Sequence, residues 1–180
     1  MGLLDDLGSV LDELLGGKNK SIKEHGGKII TKYANVDDVI EHLKKFVPTA
    51  DPKLKSGYTE KSIENQLVKF MKQRFVDVTP QYGIEGRNAR VIDIDVADGV
   101  AGIELKDAKN VVKAAETDRV CSQLQVYKKK RYKDDNLILL VIGDQEDKTD
   151  SRLLDIVDFC KENNVRYGFF ELEKGYIEES

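Results

Sequence analysis

The chain is short of cysteine, of histidine and of long apolar runs, and each shortage narrows what it can be. Its two cysteines, Cys121 and Cys160, stand in helix-like segments among apolar neighbours, with no Cys or His at metal-ligand spacing. That disfavours a zinc site or a disulfide framework and reads as buried free thiols of a reducing compartment. The two histidines, His25 and His42, lack any partner pattern and receive no catalytic role. No run approaches the roughly 20 apolar residues that cross a bilayer. Asp5 and Asp6 stand where a secretory signal would be basic, and Asp6 replaces the Ser or Thr that supports myristoylation of Gly2. The expectation is a cytoplasmic protein with no membrane partner. With 29 Lys+Arg against 33 Asp+Glu the formal charge is -4, so nothing global attracts nucleic acid and any polyanion site must be local.

What is present suits one core with a small extension, since 180 residues hardly hold two full domains. Residues 1–50 read as a helical N-terminal extension. In it Leu3, Leu4, Leu7, Val10, Leu11, Leu14 and Leu15 form an amphipathic stripe that ends at Gly16-Gly17. The polar KNKSIKEHGGK reads as a linker, and a helix over 36–46 starts from Asn35 and stops before Pro48. The leucine stripe needs cover from the protein's own core, a second copy or a partner protein.

Residues 58–180 read as a compact α/β unit. Thr59 caps a helix running to about Phe75, with Ile63, Leu67, Phe70, Met71 and Phe75 as its buried stripe. VDVTPQYGI is a strand bent or placed at an edge by Pro80, and GRNA is a turn. RVIDIDV and VAGIELK form a hairpin around Asp98-Gly99. A helix from about Ala115 to Arg131 follows, then the apolar strand NLILLVIG, the helix SRLLDIVDFCKENN and the strand RYGFFELE. This order describes a mixed central sheet flanked by helices.

The hairpin carries the chemistry. With Ala97 facing Val100, Asp93 lies across from Glu104. Asp93, Asp95, Gly102, Glu104 and Lys106 then share one face, and Ile92, Ile94, Val96, Ala101, Ile103 and Leu105 share the other. Facing carboxylates repel unless a proton or a metal intervenes, and oxygen-only ligands suit Mg²⁺ or Mn²⁺. The Lys106 ammonium beside them is placed to orient an attacking water at a phosphodiester. The bland alternative is a solvated sheet face with a cross-strand ion pair, worth at most about 1 kcal/mol.

Asp93 followed by Glu104-Leu105-Lys106 resembles the D…(D/E)xK core of the PD-(D/E)XK, or restriction-endonuclease-like, nuclease superfamily, whose αβββαβ order is the one read above. Ile92 stands where the family name has proline. The resemblance covers roughly residues 58–172 and implies a metal-dependent nuclease, an endo- or exodeoxyribonuclease using Mg or Mn, with DNA as substrate and RNA left open. It implies Asp93 and Glu104 as metal ligands, with Asp95 as the alternative to Asp93, and Lys106 as the catalytic ammonium. Glu64 on the first helix is the further acidic residue, with Glu60 one turn earlier as its alternative. Gln123 and Tyr127 form a QxxxY pair similar to that of RecB-like members, a resemblance that implies support of the site and the substrate. Lys128, Lys129, Lys130 and Arg131, with Arg87 and Arg90 near the hairpin entrance, are candidate phosphate contacts, and Lys109, Lys113 and Arg119 precede them. The competing expectation is a non-catalytic module of the same fold that binds or assembles through protein contacts.

Overall fold

The computed structural model describes residues 22–25, 28–31, 34–84 and 90–179. The predicted helix over 3–15, the GRNA turn and Arg87 lie outside the described residues. The predicted linker holds the strand β1 (Ile22–His25), and β2 (Lys28–Thr31) runs on from the linker's last residue; among the described residues the two form a separate antiparallel pair. Helix α1 (Val36–Leu43) begins at Asn35, whose side chain accepts the Asp38 N–H while the Asp38 carboxylate accepts the Asn35 N–H. This helix belongs to the main core: Val36, Val39, Ile40 and Leu43 pack with residues of the central sheet.

Helix α2 (Glu60–Met71) is capped in the same reciprocal way by Thr59 and Ser62, and it buries Ile63, Leu67, Val68 and Met71. The helix ends at Met71, so Phe75 is buried from a following turn. The strands β3 (Val78–Ile84), β4 (Arg90–Val96) and β5 (Ala101–Asp107) form an antiparallel meander. A short helix α3 (Ala108–Val111) leads into α4 (Ala114–Lys130), which returns the chain to β6 (Leu137–Ile142), parallel to β5. Helix α5 (Ser151–Glu162) then connects to β7 (Arg166–Glu171), parallel to β6. Strand β8 (Gly175–Glu179), which the sequence pattern did not announce, adds an antiparallel edge. The result is an α/β fold with an open, mixed six-stranded sheet in the order β3-β4-β5-β6-β7-β8.

Helices cover both faces of this sheet. On one, Ile94, Val96, Ile103, Leu105, Ile138 and Leu140 pack against α1 and α2. On the other, Leu137, Leu139, Val141 and Phe169 pack against Val120, Leu124 and Tyr127 of α4 and Leu153, Ile156 and Cys160 of α5. Strand β6 is buried along its whole length, which its unbroken apolar run requires. Cys160 is a buried free thiol, pushed up to about 12 by burial, whereas Cys121 is only half buried. Among the described residues no helix is long and apolar enough to cross a membrane.

Two departures from the expected hairpin shape the site. The turn is wider than two residues: pairing ends at Val96 and Ala101, Ala97, Asp98 and Gly99 all have left-handed φ, and the Ala97 N–H bonds the Asp77 carbonyl instead of the partner strand. The alternation of faces also breaks at Asp93. Ile94, Val96, Ala101, Ile103 and Leu105 share the α1/α2 face as expected, but Ile92 crosses to the opposite cluster with Tyr127 and Tyr132.

Candidate functional site

Strands β4 and β5 pair through Ile94↔Ile103, Asp95↔Gly102 and Val96↔Ala101, the register that sets Asp93 opposite Glu104. Beyond Ile94 the strands part. The Leu105 N–H donates to Oδ2 of Asp93 at 2.8 Å, so a carboxylate occupies the place of a ladder acceptor. Oδ1 of Asp93 accepts from Nε2 of Gln81 at 3.2 Å.

Lys106 reaches back into this gap. Its Nζ donates to Oε1 of Glu104 at 2.5 Å and to the Leu105 carbonyl at 3.0 Å. It also lies 3.9 Å from Oδ2 of Asp93 and 4.0 Å from Oε1 of Glu60. Glu104 is almost fully buried, and its second oxygen, Oε2, has no hydrogen-bond partner. Burial raises the Glu104 pKa to about 7, with the Lys106 charge opposing and Asp93 reinforcing the shift. Burial works against the Lys106 ammonium, yet Glu104 and Asp93 outweigh it and its pKa is raised. The pair therefore keeps its ammonium firmly and its carboxylate weakly.

The helix carboxylate that joins the site is Glu60. Its Oε2 accepts the Asp107 N–H at 2.9 Å, and burial raises its pKa against the pull of Lys106. Glu64 is buried one turn later, where its carboxylate takes the Lys61 ammonium at 2.7 Å. Spacing on α2 made both eligible; Glu60, the first helical residue after the Thr59 cap, is the one beside the β5 end.

Asp95 is committed elsewhere, which removes the reason to weigh it against Asp93. It accepts from Tyr132 Oη at 2.5 Å, from Arg131 Nε at 2.9 Å and Nη2 at 3.3 Å, and from the Gly99 N–H at 3.1 Å. Gly102 permits this: a Cβ there would lie 2.6 Å from the Tyr132 ring. Arg131 also bonds Asp98 and stacks over the Tyr82 ring at 4.3 Å, so it braces the hairpin instead of facing solvent as a phosphate contact.

Tyr127, a candidate nucleic-acid contact by the QxxxY resemblance, is fully buried and donates to the Val91 carbonyl at 2.7 Å. Its hydroxyl is pushed up, first by burial and next by the Glu104 and Asp93 charges. Gln123, one turn earlier, has its amide oxygen buried without a partner. Lys128 donates to the Asp134 and Asn164 carbonyls and ties down the end of α4, whereas Lys129 and Lys130 are exposed. Arg90 is half buried at the start of β4.

A cleft of about 320 Å³ opens beside Lys106, lined by Glu60, Asn110, Val111, Lys113, Glu116 and Arg119. Lys113 Nζ donates to the Asn110 amide oxygen, and Arg119 pairs with Glu116 at 2.6 Å. Sequence reasoning missed Gln81, for which composition and spacing gave no signal, and the Leu105 backbone, which only the parting of the strands exposes.

Among the described residues no three carboxylate, imidazole or thiol groups converge closely enough to hold a metal ion. The carboxylate and carbonyl oxygens are donors of the type a hard divalent cation takes, and one buried Glu104 oxygen is unpartnered, while the Lys106 ammonium occupies the other. No family model matches the chain, and neither a curated protein nor a solved structure matches it.

Proposed function

We propose that this protein is a divalent-metal-dependent nuclease that hydrolyses phosphodiester bonds in DNA, built on a restriction-endonuclease-like core. The observation that carries this reading is the Lys106 ammonium gathered by the Glu104 carboxylate, the Leu105 carbonyl and the Asp93 carboxylate where β4 and β5 part. The order α2, β3-β4-β5, α4, β6 supports it as an αβββαβ arrangement. Mg²⁺ or Mn²⁺ would be held by Asp93 and Glu104, with the Leu105 carbonyl and Glu60 as further oxygens, and would supply a Lewis acid to the phosphoryl group.

The remaining work belongs to the chain itself. Because neighbouring carboxylates favour its charged form, Lys106 acts as a charged donor. It orients the attacking water and offsets charge on the pentacovalent transition state. The Leu105 N–H and Gln81 hold Asp93 in place. Lys113 and Arg119 line the cleft through which a phosphate backbone reaches Lys106, and the exposed Lys129 and Lys130 add positive charge at the far end of α4.

A second reading, a non-catalytic module that binds or assembles through protein contacts, draws support from the direct Lys106–Glu104 pair, which neutralises the buried carboxylate without a metal. Calorimetric titration with Mn²⁺ separates the two. Binding that disappears in Glu104→Ala supports the nuclease; absence of binding by the unaltered protein supports the module.

A further inference from the structure

On either side of Gln81 and Asp93 the pairing of β3 with β4 runs in one unshifted register, through Pro80↔Ile94 on one side and Tyr82↔Ile92 on the other. The pair that belongs between them is missing from the ladder. Gln81 has φ +51, the left-handed conformation that a side chain of this kind rarely adopts, and it is exposed, so no burial of its own offsets the strain. Across from it the face alternation of β4 breaks, with Ile92 and Ile94 in opposite cores. Both strands are therefore kinked at one level, and the kink has two products: Asp93 leaves the β3–β4 ladder, and its carboxylate meets the Leu105 N–H and the Gln81 amide.

We propose that Gln81 is a positioning residue for this site, its left-handed backbone turning Asp93 out of the ladder and its amide aiming the carboxylate at Leu105 and Lys106. The inference rests on the reading of Asp93 as a working residue of the site, but its geometric part is measurable without any cleavage. No contact in the hydrophobic cores needs Gln81; its one described side-chain bond is to Asp93. Strain of this kind survives where something else is gained by it. Here the gain is an acceptor that holds β5 open beside Glu104.

Two variants of the full chain test it. Gln81→Ala removes the amide and keeps the strain; Gln81→Gly removes both. The readouts are residue-by-residue amide exchange by NMR and the affinity for Mn²⁺ alone by calorimetry. In both variants Leu105 exchanges about tenfold faster while Ile103, paired to Ile94, keeps its protection. Mn²⁺ affinity falls about fivefold to tenfold, and the Gly variant melts no lower than the parent. Unchanged Leu105 exchange and unchanged Mn²⁺ affinity in both variants overturn the proposal, as does a uniform loss of protection that includes Ile103. A parent protein that binds no Mn²⁺ while Leu105 loosens in the variants leaves the positioning role standing and defeats the nuclease reading instead.

Discussion

Lys106 Nζ and Glu104 Oε1 lie 2.5 Å apart, and the carboxylate is nearly without solvent. Such a pair is costly to break from one side, because the surviving charge stays buried. Lys106→Met therefore destabilises the protein by about 3 kcal/mol near neutral pH. The loss shrinks toward acid, since the Glu104 pKa, raised even with Lys106 present, rises further without it. The sign follows from linkage: a folded carboxyl that holds its proton above the unfolded value of 4.5 loses stability as pH rises through that window. Urea unfolding of parent and variant at pH values of about 5 and about 8 measures it.

Asp93 and Asp95 separate by experiment. Asp95→Asn removes the charge that faces Arg131 and sets an amide donor where an oxygen accepted, and costs about 3 kcal/mol of stability with little change in Mn²⁺ affinity. Asp93→Asn costs less stability and weakens Mn²⁺ binding by at least about tenfold. Thermal unfolding with and without Mn²⁺, run on both variants, reads the two effects together; the reverse pattern returns the metal site to Asp95.

How much of this was legible in the sequence depends on the residue. Alternation and the Asp98-Gly99 turn signal set Asp93 opposite Glu104 and put Lys106 beside it, and the register of β4 on β5 agrees. The same alternation misplaced Ile92, because a kink produced by the conformation of Gln81 leaves no mark on hydrophobic periodicity. Register favoured Asp93, and Asp95 stayed its alternative because face alone cannot reveal that Tyr132 and Arg131, far along the chain, converge on it. The QxxxY pattern offered Tyr127 as a support for the substrate, and such a pattern does not reveal that the ring is buried in the core beneath α4. The αβββαβ order was readable from runs and turns, whereas β8 and the β1–β2 pair were too short and polar to stand out.

Metal affinity should depend on acidity through Glu104. With a pKa raised to about 7, its proton competes with a cation throughout the mildly acid range. Mn²⁺ affinity then falls by up to about tenfold per pH unit below neutrality and levels off above about pH 8. Calorimetry in two buffers of different ionisation enthalpy at pH about 6 finds a proton released for each cation bound. A flat affinity between about pH 5.5 and 8 excludes Glu104 as the titrating ligand.

The cleft makes opposite predictions for two neighbours. Glu116 holds the Arg119 guanidinium at 2.6 Å, so Glu116→Gln frees a cation for phosphate and tightens binding of a short DNA duplex about threefold to tenfold. Arg119→Gln weakens binding by a similar factor and lowers the salt slope by about one. Fluorescence anisotropy at several salt concentrations, with a catalytically silent Glu104→Ala background, measures both. Equal effects of the two changes place the substrate outside this cleft.

The central claim is hydrolysis at Asp93, Glu104 and Lys106, and a cleavage panel tests it most directly. Linear duplex, branched and single-stranded DNA, with single-stranded RNA alongside, are incubated with Mg²⁺ or Mn²⁺, and Glu104→Ala and Lys106→Ala proteins purified identically run beside the parent. The account expects metal-dependent cleavage of at least one DNA form, lowered by a factor of about a hundred or more in both variants. Robust cleavage by Lys106→Ala, or none by the parent on any substrate with either metal, contradicts it.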